Sequence, residues 1–440
     1  MRAVIMAGGK GTRLFELTGD QLPKPMVPVG NKPILEWQIE CLRDNGVSEI
    51  CIVVGHLGEK IKNYFGTGNR IGVELVYYNE EKPLGTAGAL AHIKEFLKDD
   101  YFLLVYGDVI FDIDIKRMEA FHTQKNSLAT LFIHPNSHPY DSDLVIVDQN
   151  GQIIDFDSKS NHRTYWYDNI VNAGFYILSN EICKNIPKNN KTDLEKDILF
   201  KNLGETSGIY GYISTEYIKD AGTADRIHRV SVDIKNGVVA AKNLSKKQKC
   251  IFLDRDGVLN KLDGLLYDID RLVLEDSAAE ALHKINTSEY LAVVITNQPV
   301  VARGLCSKND VNEIHKKLHT LFGENHVYLD DLFFCPHHPD KGYPEENPEY
   351  KIDCGCRKPK TGMLLAAAAK HNIDLTKSWF IGDTTVDIKT GKNAGLKTVL
   401  VQTGAAGRDG KYDVTAEYTA CNVLAAVEYI IGENKKDSDK

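Results

Sequence analysis

Long apolar runs and an excess of basic charge are both missing from this sequence. No stretch approaches the ~18 consecutive apolar residues that a membrane-spanning helix needs, and the short apolar stretch at the start runs directly into Gly8 and Gly9. We therefore expect no membrane segment, no signal peptide and a cytoplasmic location. The formal net charge of −8 at pH 7 argues against a broad nucleic-acid-binding surface, although a few local Lys and Arg residues suffice to bind a phosphorylated small molecule.

Cysteines are few, and internal repeats are missing. The nine cysteines are an odd number, and three of them crowd into residues 335–356, which favours a metal site over a disulfide framework. No repeat of ~20–50 residues is visible. Since a chain of 440 residues is too long for one ordinary core, we expect two or three domains.

Strand-like and helix-like segments alternate along both halves, which predicts an α/β fold with mostly parallel sheets covered by helices. Because functional residues in open α/β sheets gather at the carboxyl ends of strands, the polar residues at those ends are candidates for a site. The predicted parts are a domain at 1–240, a linker at 241–248, a domain at 249–432 and a disordered tail at 433–440. In the first half we predict strands at 2–6, 50–55, 73–78 and 101–108 and helices at 34–46 and 87–100. In the second half we predict strands at 250–257, 291–298, 379–387 and 397–404 and helices at 278–285 and 309–322.

A glycine-rich loop, AGGKGTRL at residues 7–14, follows the first strand. Gly8, Gly9 and Gly11 permit close approach of the backbone, so that successive N–H groups can surround a phosphate. Arg13 can add charge-assisted hydrogen bonds. The alternative is an ordinary glycine-rich turn between a strand and a helix.

Further motifs follow this loop in a specific order. They begin with Lys24, whose loop is stiffened by the proline on either side, and continue through EEKPLGTAGAL (80–90), YGDV (106–109), VNAGFYI (171–177), LEKDIL (194–199) and KDAGTAD (219–225). In this combination, residues 1–235 resemble the sugar-phosphate nucleotidyltransferase family, which makes nucleotide-sugars. The resemblance implies a Rossmann-like fold with a mixed, mostly parallel sheet.

The resemblance also implies a reaction and the residues that carry it. A sugar 1-phosphate oxygen attacks the α-phosphorus of a nucleoside triphosphate and pyrophosphate leaves, a step catalysed chiefly by positioning and electrostatics. Arg13 would bind the triphosphate and the leaving pyrophosphate, Lys24 the α-phosphate region, and Asp108 and Asp220 a Mg²⁺ ion. The implied sugar-phosphate-binding residues are Gly174, Glu195 for the hydroxyls and Lys196 for the phosphate. The implied nucleotide-binding residues are Gly8, Gly9, Gly11, Thr12, Glu80, Gly85 and Thr86.

Glu80 is the one clue to the base. It lies five residues before Gly85, where related enzymes place a base-reading side chain. A carboxylate only accepts hydrogen bonds, and guanine offers it two neighbouring donors, so GTP is favoured. The alternative is that Glu80 or Glu81 is a solvated loop charge.

The second half opens with IFLDRDGVLN, in which Asp254 and Asp256 end a strand one residue apart. Two acids this close repel unless a cation lies between them, and Gly257 permits the chain to turn there. The alternative is a plain acidic turn. Three later motifs argue against it and supply polar strand ends or basic residues, namely ITNQ (295–298), CRKPKTGM (356–363) and FIGDTTVD (380–387).

Together these motifs resemble the haloacid-dehalogenase superfamily of phosphatases, over about residues 249–432. The resemblance implies that Asp254 is the nucleophile that forms an aspartyl-phosphate, and that Asp256 protonates the leaving oxygen and then activates water. Thr296 and Lys358 would hold the phosphoryl oxygens. Mg²⁺ would be bound by Asp254, the Asp256 carbonyl and Asp383, with Asp387 in support. The short separation of Asp256 from Asn297 leaves no room for a large cap domain.

Cysteines and a histidine form a candidate metal site in the same half. Cys335, His337, Cys354 and Cys356 make a Cys₃His set that suits a tetrahedral structural Zn²⁺. His338 is the alternative imidazole, and unpaired surface cysteines are the alternative to any metal. Arg357 follows Cys356 directly, so the zinc would fix a loop whose next residues touch phosphate. This loop, DRDG (254–257) and CRKP (356–359) together resemble one subgroup, the heptose 1,7-bisphosphate phosphatases and their relative, histidinol-phosphate phosphatase.

The two implied activities fit consecutive steps. A phosphatase would convert D-glycero-D-manno-heptose 1,7-bisphosphate to the 1-phosphate, and the first half would turn this product into GDP-heptose for surface polysaccharide. Expected partners are therefore these small molecules and a nucleoside triphosphate, without nucleic acid or membrane, and a homo-oligomer stays open. Three alternatives remain: a different sugar such as mannose 1-phosphate, one half acting only as a regulatory module, and histidinol-phosphate hydrolysis.

Overall fold

The chain divides into two compact units. The computed structural model describes residues 1–9, 19, 21–201, 203–204, 208–342 and 344–438, the last five of these by their backbone. The first unit comprises Met1–His134, Asp143–Ser158 and Ile170–Ser245. The second comprises Pro135–Ser142, Lys159–Asn169 and Lys246–Lys440. The division at 245 falls inside the linker predicted from the sequence, but two segments from the first half of the chain pack with the second unit.

The first unit is built from strands and five α-helices in its described part. Its strands are β1 (Ala3–Met6), β2 (Pro28–Val29), β3 (Lys32–Pro33), β4 (Glu49–Val54), β5 (Glu74–Asn79), β6 (Tyr101–Tyr106), β7 (Val109–Asp112), β8 (Ala129–His134), β9 (Leu144–Val147), β10 (Ile153–Asp157), β11 (Val171–Ser179), β12 (Ile209–Ile213) and β13 (Tyr217–Asp220). Its helices are α1 (Ile34–Asp44), α2 (Gly58–Phe65), α3 (Ile115–Lys125), α4 (Ala224–Lys235) and α5 (Val238–Ala241). The four strands and the helix 34–46 predicted at the start of the chain are confirmed.

A nine-stranded mixed sheet forms the centre of the first unit. β4, β1 and β6 run parallel, with Ile5 opposite both Ile52 and Val105. β11 joins antiparallel to β6, and β8 joins antiparallel to β11. These central strands are continuous runs of buried apolar residues because both faces of the sheet are covered. β7 and β13 form a separate antiparallel pair.

The helix expected over residues 87–100 is wrong. Only Gly88–Ala91 is helical, as a short 3₁₀ turn. Gly85 takes a positive φ of +83°, and a β-carbon there would lie 2.4 Å from the carbonyl oxygen of Thr192. Ala87, Ala89 and Leu90 are buried, so tertiary packing against the chain at Thr192 replaces the helical hydrogen bonds.

The second unit has one fully parallel sheet. Its strands are β14 (Lys249–Leu253), β15 (Tyr290–Asn297), β16 (Asp331–Cys335), β17 (Trp379–Gly382), β18 (Lys397–Val401) and β19 (Tyr418–Ala420), in the order β16-β15-β14-β17-β18-β19. Its helices are α6 (Ala278–Asn286), α7 (Lys308–Glu324), α8 (Gly362–His371), α9 (Thr385–Asn393) and α10 (Val423–Ser438). Strands and helices form at the predicted positions of this half, and the α/β class is confirmed. The strand predicted over 379–387 is too long, because β17 ends at Gly382 and α9 begins at Thr385 and contains Asp387.

Two helices of the second unit begin at residues whose side chains explain the start, and a third helix ends later than the sequence predicts. Capping boxes start α7 at Ser307 and α9 at Thr384, because each hydroxyl accepts the N–H three residues on and that residue's carboxylate bonds back. α10 continues to Ser438, whereas the sequence predicts a disordered tail from 433. Once a helix has formed, each further residue adds one backbone hydrogen bond, which favours its extension. The predicted domain boundaries stay a prediction, because packing alone does not show where a domain folds independently.

Among the described residues, we find no helix that is both long and apolar enough to cross a lipid bilayer.

Candidate active sites

The carboxyl ends of three parallel strands meet at one cavity of the second unit. Asp254 and Asp383 directly follow β14 and β17, and Thr296 is the second-last residue of β15. All three line a cavity of about 570 Å³ with Lys358. The other predicted phosphatase residues, Asp256, Arg357 and Asp387, line it as well. Side chains that lie far apart in the sequence therefore meet here, as expected for the carboxyl ends of strands in an open α/β sheet.

Lys358 is the central cation of this cavity. Its Nζ lies 2.9 Å from Asp254 Oδ1 and 2.6 Å from Asp387 Oδ1, and it also donates to the carbonyl of Ile295 at 3.0 Å. Burial by itself lowers the pKa of Lys358, but the two carboxylates outweigh it and raise the pKa above its usual value. Lys358 therefore stays protonated.

Asp254, Asp383 and Asp387 form a buried carboxylate cluster, with one oxygen of each within 4.8 Å of the others. Burial raises the pKa of Asp254, and repulsion from Asp387 adds to the rise. Burial likewise raises the pKa of Asp383, together with repulsion from Asp254. Carboxylate oxygens held this close against their own repulsion fit a hard divalent cation, which would lower both pKa values again.

Asp256 lines the same cavity outside that cluster and is held by hydrogen-bond donors. Arg255, which is fully buried, contacts both of its carboxylate oxygens at 3.0 Å. Asn260 Nδ2 donates to Oδ1 at 3.0 Å and Gln298 Nε2 donates to Oδ2 at 2.8 Å. Burial acts to raise the pKa of Asp256, but Arg255 and these amides lower it below its usual range. The guanidinium is itself held by His315 Nε2 at 3.1 Å.

Cys335, His337, Cys354 and Cys356 lie together, each offering one ligand atom within 4.8 Å of the rest. The three sulfurs are 3.1–3.5 Å apart, and His337 Nδ1 lies 3.4 Å from the sulfur of Cys356. Soft sulfur with one imidazole is compatible with Zn²⁺. His338 is not in this group, since its Nδ1 accepts the N–H of Asp340 instead.

The cysteine cluster is continuous with the cavity. The Arg357 N–H donates to the sulfur of Cys354, and its guanidinium donates to the carbonyl of His337. Asn297 pairs with the backbone of Lys358 in both directions, at 3.0 and 3.2 Å. Arg255, Gln298 and the role of Asn297 were missed from the sequence. For Asn297 and Gln298 the signal was present, because they directly follow Thr296 at a strand end.

In the first unit, Lys24, Asp108 and Asp220 converge. Lys24 Nζ lies 2.5 Å from Asp108 Oδ2, and β13 places Asp220 opposite Val109, the neighbour of Asp108. A β-carbon on Gly222 would lie 2.5 Å from Asp220 Oδ1 and 3.2 Å from Lys24 Nζ. Asp220 Oδ1 is buried without a hydrogen-bond partner among the described residues, and the other oxygen pairs with Arg226 at 2.6 Å. An orphaned carboxylate oxygen beside a second carboxylate fits a Mg²⁺ site.

Glu80 lies against the described start of the glycine-rich loop. A β-carbon added at Gly8 would lie 2.5 Å from Glu80 Oε2. Glu80 Oε1 accepts the N–H of Leu84. Burial raises the pKa of Glu80. Gly9, the residue after Gly8, is exposed. The residues Gly11, Thr12 and Arg13 lie outside the described part of the chain.

Thr86 connects the nucleotide motif to the sugar motif. Its Oγ1 accepts the N–H of Leu194 at 2.7 Å, at the start of the π-helix Leu194–Leu199 that carries Glu195 and Lys196. Lys196 is exposed. The motif EEKPLGTAGAL and the motif LEKDIL, which are distant in sequence, therefore belong to one neighbourhood.

Glu195 is held by two tyrosines that were missed from the sequence. Tyr106 and Tyr176 donate their hydroxyls to Glu195 Oε1 at 2.6 and 2.5 Å. Burial raises the pKa of Glu195, although these two donors act to lower it. Gly174 packs against the Tyr106 ring, since a β-carbon added at Gly174 would lie 2.8 Å from that ring. Both tyrosines lie inside quoted motifs, but their apolar rings gave no reason to single them out.

Known proteins are similar to both units. Residues 2–237 match the nucleotidyl transferase family and residues 355–426 the HAD-hydrolase-like family. A UTP–glucose-1-phosphate uridylyltransferase of Synechocystis sp. is 36% identical over 46% of this chain and 55% of its own length, so the chain spans only about half of that relative. A mannose-1-phosphate guanylyltransferase of Mycobacterium tuberculosis is 28% identical over 55% of this chain and 67% of its own. A D-glycero-beta-D-manno-heptose-1,7-bisphosphate 7-phosphatase of Pasteurella multocida is 42% identical over 37% of this chain and 88% of its own.

Proposed function

Because the chain belongs to the nucleotidyl transferase family and carries a HAD-like phosphatase in its second half, we propose that this bifunctional transferase and phosphatase makes a nucleotide-activated heptose in two consecutive steps. The second unit removes the 7-phosphate of a D-glycero-D-manno-heptose 1,7-bisphosphate. The first unit joins the remaining 1-phosphate to a nucleoside triphosphate, with GTP preferred, and gives GDP-heptose and pyrophosphate.

One observation carries the proposal. The same chain joins a unit that is 42% identical to a heptose-bisphosphate 7-phosphatase over 88% of that protein to a nucleotidyltransferase, whose chemistry requires a sugar 1-phosphate. The phosphatase product is that substrate. Placing both on one chain raises the local concentration of the intermediate.

The phosphatase step is assigned to the buried charges of the second unit. An Asp254 oxygen attacks phosphorus, the bond from phosphorus to the sugar oxygen breaks, and Asp256 gives that oxygen a proton. Water then attacks the aspartyl-phosphate, Asp256 takes a water proton, and inorganic phosphate leaves. Thr296 and Lys358 hold the phosphoryl oxygens. A bound phosphoryl dianion raises the pKa of Asp256 by like-charge repulsion, which is the direction that an acid needs.

Two metals are assigned from the donor sets. Asp254 and Asp383, with the main-chain oxygen of Asp256, would hold Mg²⁺, which neutralises charge between nucleophile and phosphate when bound. Asp387 supports this shell through Lys358 and the start of α9. Cys335, His337, Cys354 and Cys356 would hold a structural Zn²⁺, which fixes the loop that leads into Arg357 and Lys358.

The transferase step is assigned to the convergent charges of the first unit. Lys24 orients and neutralises the α-phosphate, and Asp108 and Asp220 hold Mg²⁺. Lys196, exposed and next to Glu195, binds the sugar phosphate while Glu195 accepts bonds from sugar hydroxyls. Arg13, which lies outside the described residues, is assigned to the pyrophosphate from its motif.

GTP is proposed from Glu80. Its carboxylate lies beside Gly8, so a base bound over the glycine-rich loop meets an acceptor there. Guanine offers N1–H and its N2 amino group as neighbouring donors. The similarity to a guanylyltransferase supports the same choice.

Product identification tests the proposal. The full chain is mixed with heptose 1,7-bisphosphate, Mg²⁺ and each nucleoside triphosphate in turn, and products are identified by mass spectrometry. We expect phosphate, pyrophosphate and GDP-heptose, with the other nucleotides used less efficiently. Release of phosphate without any nucleotide-sugar contradicts the proposal.

Mannose 1-phosphate is a second candidate acceptor, because one relative is a mannose-1-phosphate guanylyltransferase. The comparison is kcat/KM for heptose 1-phosphate against mannose 1-phosphate with GTP. Heptose 1-phosphate is expected to be preferred, and equal or better use of mannose 1-phosphate would support the second candidate.

A further inference from the structure

Gln298 lies at the end of β15 and contacts two groups of the phosphatase pocket with one atom. It is 2% exposed. Its Nε2 donates to Asp256 Oδ2 at 2.8 Å and to Thr296 Oγ1 at 2.9 Å. An amide nitrogen carries two hydrogens, so these two bonds use its whole donor capacity.

The bond to Thr296 decides how that hydroxyl can be used. A hydroxyl has one hydrogen to donate and can accept through its oxygen. Since the Thr296 oxygen accepts from Gln298, its hydrogen is directed elsewhere, and Thr296 lines the cavity. Gln298 thereby leaves the Thr296 hydrogen available for donation to an anionic oxygen in the cavity.

The backbone of Gln298 is fixed independently of the pocket. Its N–H donates to the carbonyl of Cys335 at 2.8 Å, and the neighbouring Asn297 is paired with Cys335 in the β15–β16 register. The amide is therefore supported from a buried strand. A side chain held at both ends in this way loses little entropy when it orients two others.

We propose that Gln298 is a positioning residue that sets the acid–base carboxylate of Asp256 and the phosphate-binding hydroxyl of Thr296 in one geometry. The inference rests on the roles proposed above for those two residues. Asn260 is the natural comparison, because its Nδ2 donates to Asp256 Oδ1 and to the Lys261 carbonyl but has no bond to Thr296.

Leaving-group dependence separates the two functions of Gln298. An alkyl phosphate such as a sugar phosphate needs a proton on its leaving oxygen, whereas p-nitrophenyl phosphate releases a weakly basic phenolate that needs little help. A defect in Asp256 therefore lowers kcat/KM more for the sugar phosphate, and a defect in Thr296 lowers kcat/KM alike for both substrates. We compare kcat/KM because the later hydrolysis of the aspartyl-phosphate, in which Asp256 activates water, is common to both substrates and affects kcat. Assays of full-length variants with both substrates therefore distinguish a defect in Asp256 from a defect in Thr296.

We expect a distinct pattern from each variant. Asn260→Leu should lower kcat/KM about 10-fold for the sugar phosphate and under about 3-fold for p-nitrophenyl phosphate. Thr296→Val should lower kcat/KM for both substrates by a similar factor. Gln298→Leu should combine the two, with losses on both substrates and the larger one on the sugar phosphate. Gln298→Glu, which keeps the shape but replaces both donors by acceptors, should lose at least as much.

Asn309→Leu is the matched control, since it makes the same kind of change at an exposed position of α7 and should leave both activities at the wild-type level. The proposal is overturned if Gln298→Leu and Gln298→Glu behave like this control, or if their loss is the same on both substrates. It is also overturned, together with the proposed phosphatase, if the wild type hydrolyses neither phosphomonoester. An active wild type with unaffected Gln298 variants removes only the inference.

Discussion

At the scale of single residues, the phosphatase pocket depends on charges that neutralise one another. Lys358 is nearly fully buried and lies within 3 Å of Asp254 and Asp387. Buried ion pairs of this kind do little for stability, but removal of one partner leaves an unpaired charge. The arrangement therefore suits an arriving phosphate, which can take the place of one carboxylate as the partner of Lys358.

Asp254→Asn should abolish phosphate release while sparing the transferase. The amide cannot attack phosphorus at a useful rate, so we expect a loss of at least about 10³-fold. The measurement is phosphate release from the bisphosphate, with pyrophosphate release from a supplied sugar 1-phosphate and GTP as the control. Equal loss of both activities would mean that the two pockets are not independent.

At the scale of elements, the loop that bears the cysteine cluster connects β16 to α8. Cys335 ends β16, while Cys354 and Cys356 precede α8. Because the chain between them is long and has little regular structure apart from Pro348–Tyr350, a bound metal is the most direct way to hold it in place.

Cys354→Ser should release the metal and destabilise the second unit. Three remaining ligands bind Zn²⁺ far more weakly than four, and we expect the thermal transition to fall by at least about 5 °C. Metal analysis of the purified protein and calorimetry check this, with Cys421→Ser, at an exposed cysteine outside the cluster, as control. Absence of zinc from wild-type protein would show that the assignment is wrong.

Glu216 links the start of α3 to the end of the first unit. It is buried, and its Oε1 accepts the N–H groups of Asp114 and Leu244 at 2.6 and 2.9 Å, while its Oε2 accepts from Ser214. Burial raises the pKa of Glu216 to about 7, although these hydrogen bonds act to lower it. The folded chain thus holds a proton that the unfolded chain, with a pKa of about 4.3, has already lost.

Stability of the first unit should therefore depend on pH through Glu216. Between pH of about 4.3 and 7 the folded state binds more protons at Glu216 than the unfolded state does. The contribution of Glu216 to the free energy of unfolding is therefore present below that window and is lost as pH rises through it, by up to about 1.4 kcal/mol per pH unit. Glu216→Gln, which mimics the protonated form, should match wild type at a pH of about 4, below that window, and be more stable at a pH of about 8. Urea unfolding at both pH values checks this, and parallel pH curves would contradict it.

At the scale of the whole molecule, the second unit includes chain that precedes it by about a hundred residues. Thr320 Oγ1 on α7 accepts the N–H of Tyr167 at 3.0 Å, and its hydrogen faces the carbonyls of Lys316 at 2.9 Å and Tyr167 at 3.2 Å. Pro139 packs closely on Gly323, since a β-carbon added at Gly323 would lie 2.4 Å from the Pro139 side chain. These segments, 135–142 and 159–169, cover α7, whose His315 holds the guanidinium of Arg255.

A fragment of residues 246–440 should consequently be less stable than the same unit in the full chain. Loss of the two segments exposes part of α7 and removes the hydrogen bond that Thr320 accepts from Tyr167, so we expect a lower unfolding temperature by calorimetry. In the full chain, Thr320→Ala should cost about 1–2 kcal/mol. A fragment that melts at the temperature of the intact unit would show that the segments contribute nothing.

The order of strands and helices could be predicted from the sequence in most places, because short apolar runs, glycine turns and helix caps act over a few residues. Local rules also marked the strand ends Asp254, Thr296 and Asp383 as candidates, and the resemblance to the two families named the other predicted site residues. Local rules failed at 87–100, where burial against Thr192 outweighed helix propensity.

The sequence by itself determined that this chain has two α/β units, each with acidic strand ends and basic partners suited to phosphate chemistry. Only the tertiary structure decided which groups share a proton or a charge, such as Lys358 between Asp254 and Asp387, Gln298 between Asp256 and Thr296, and Glu195 beneath two tyrosines. It also decided that residues 135–142 and 159–169 pack with the second unit. The physical reason is that such pairings depend on burial and distance between residues far apart along the chain, and no local pattern encodes either quantity.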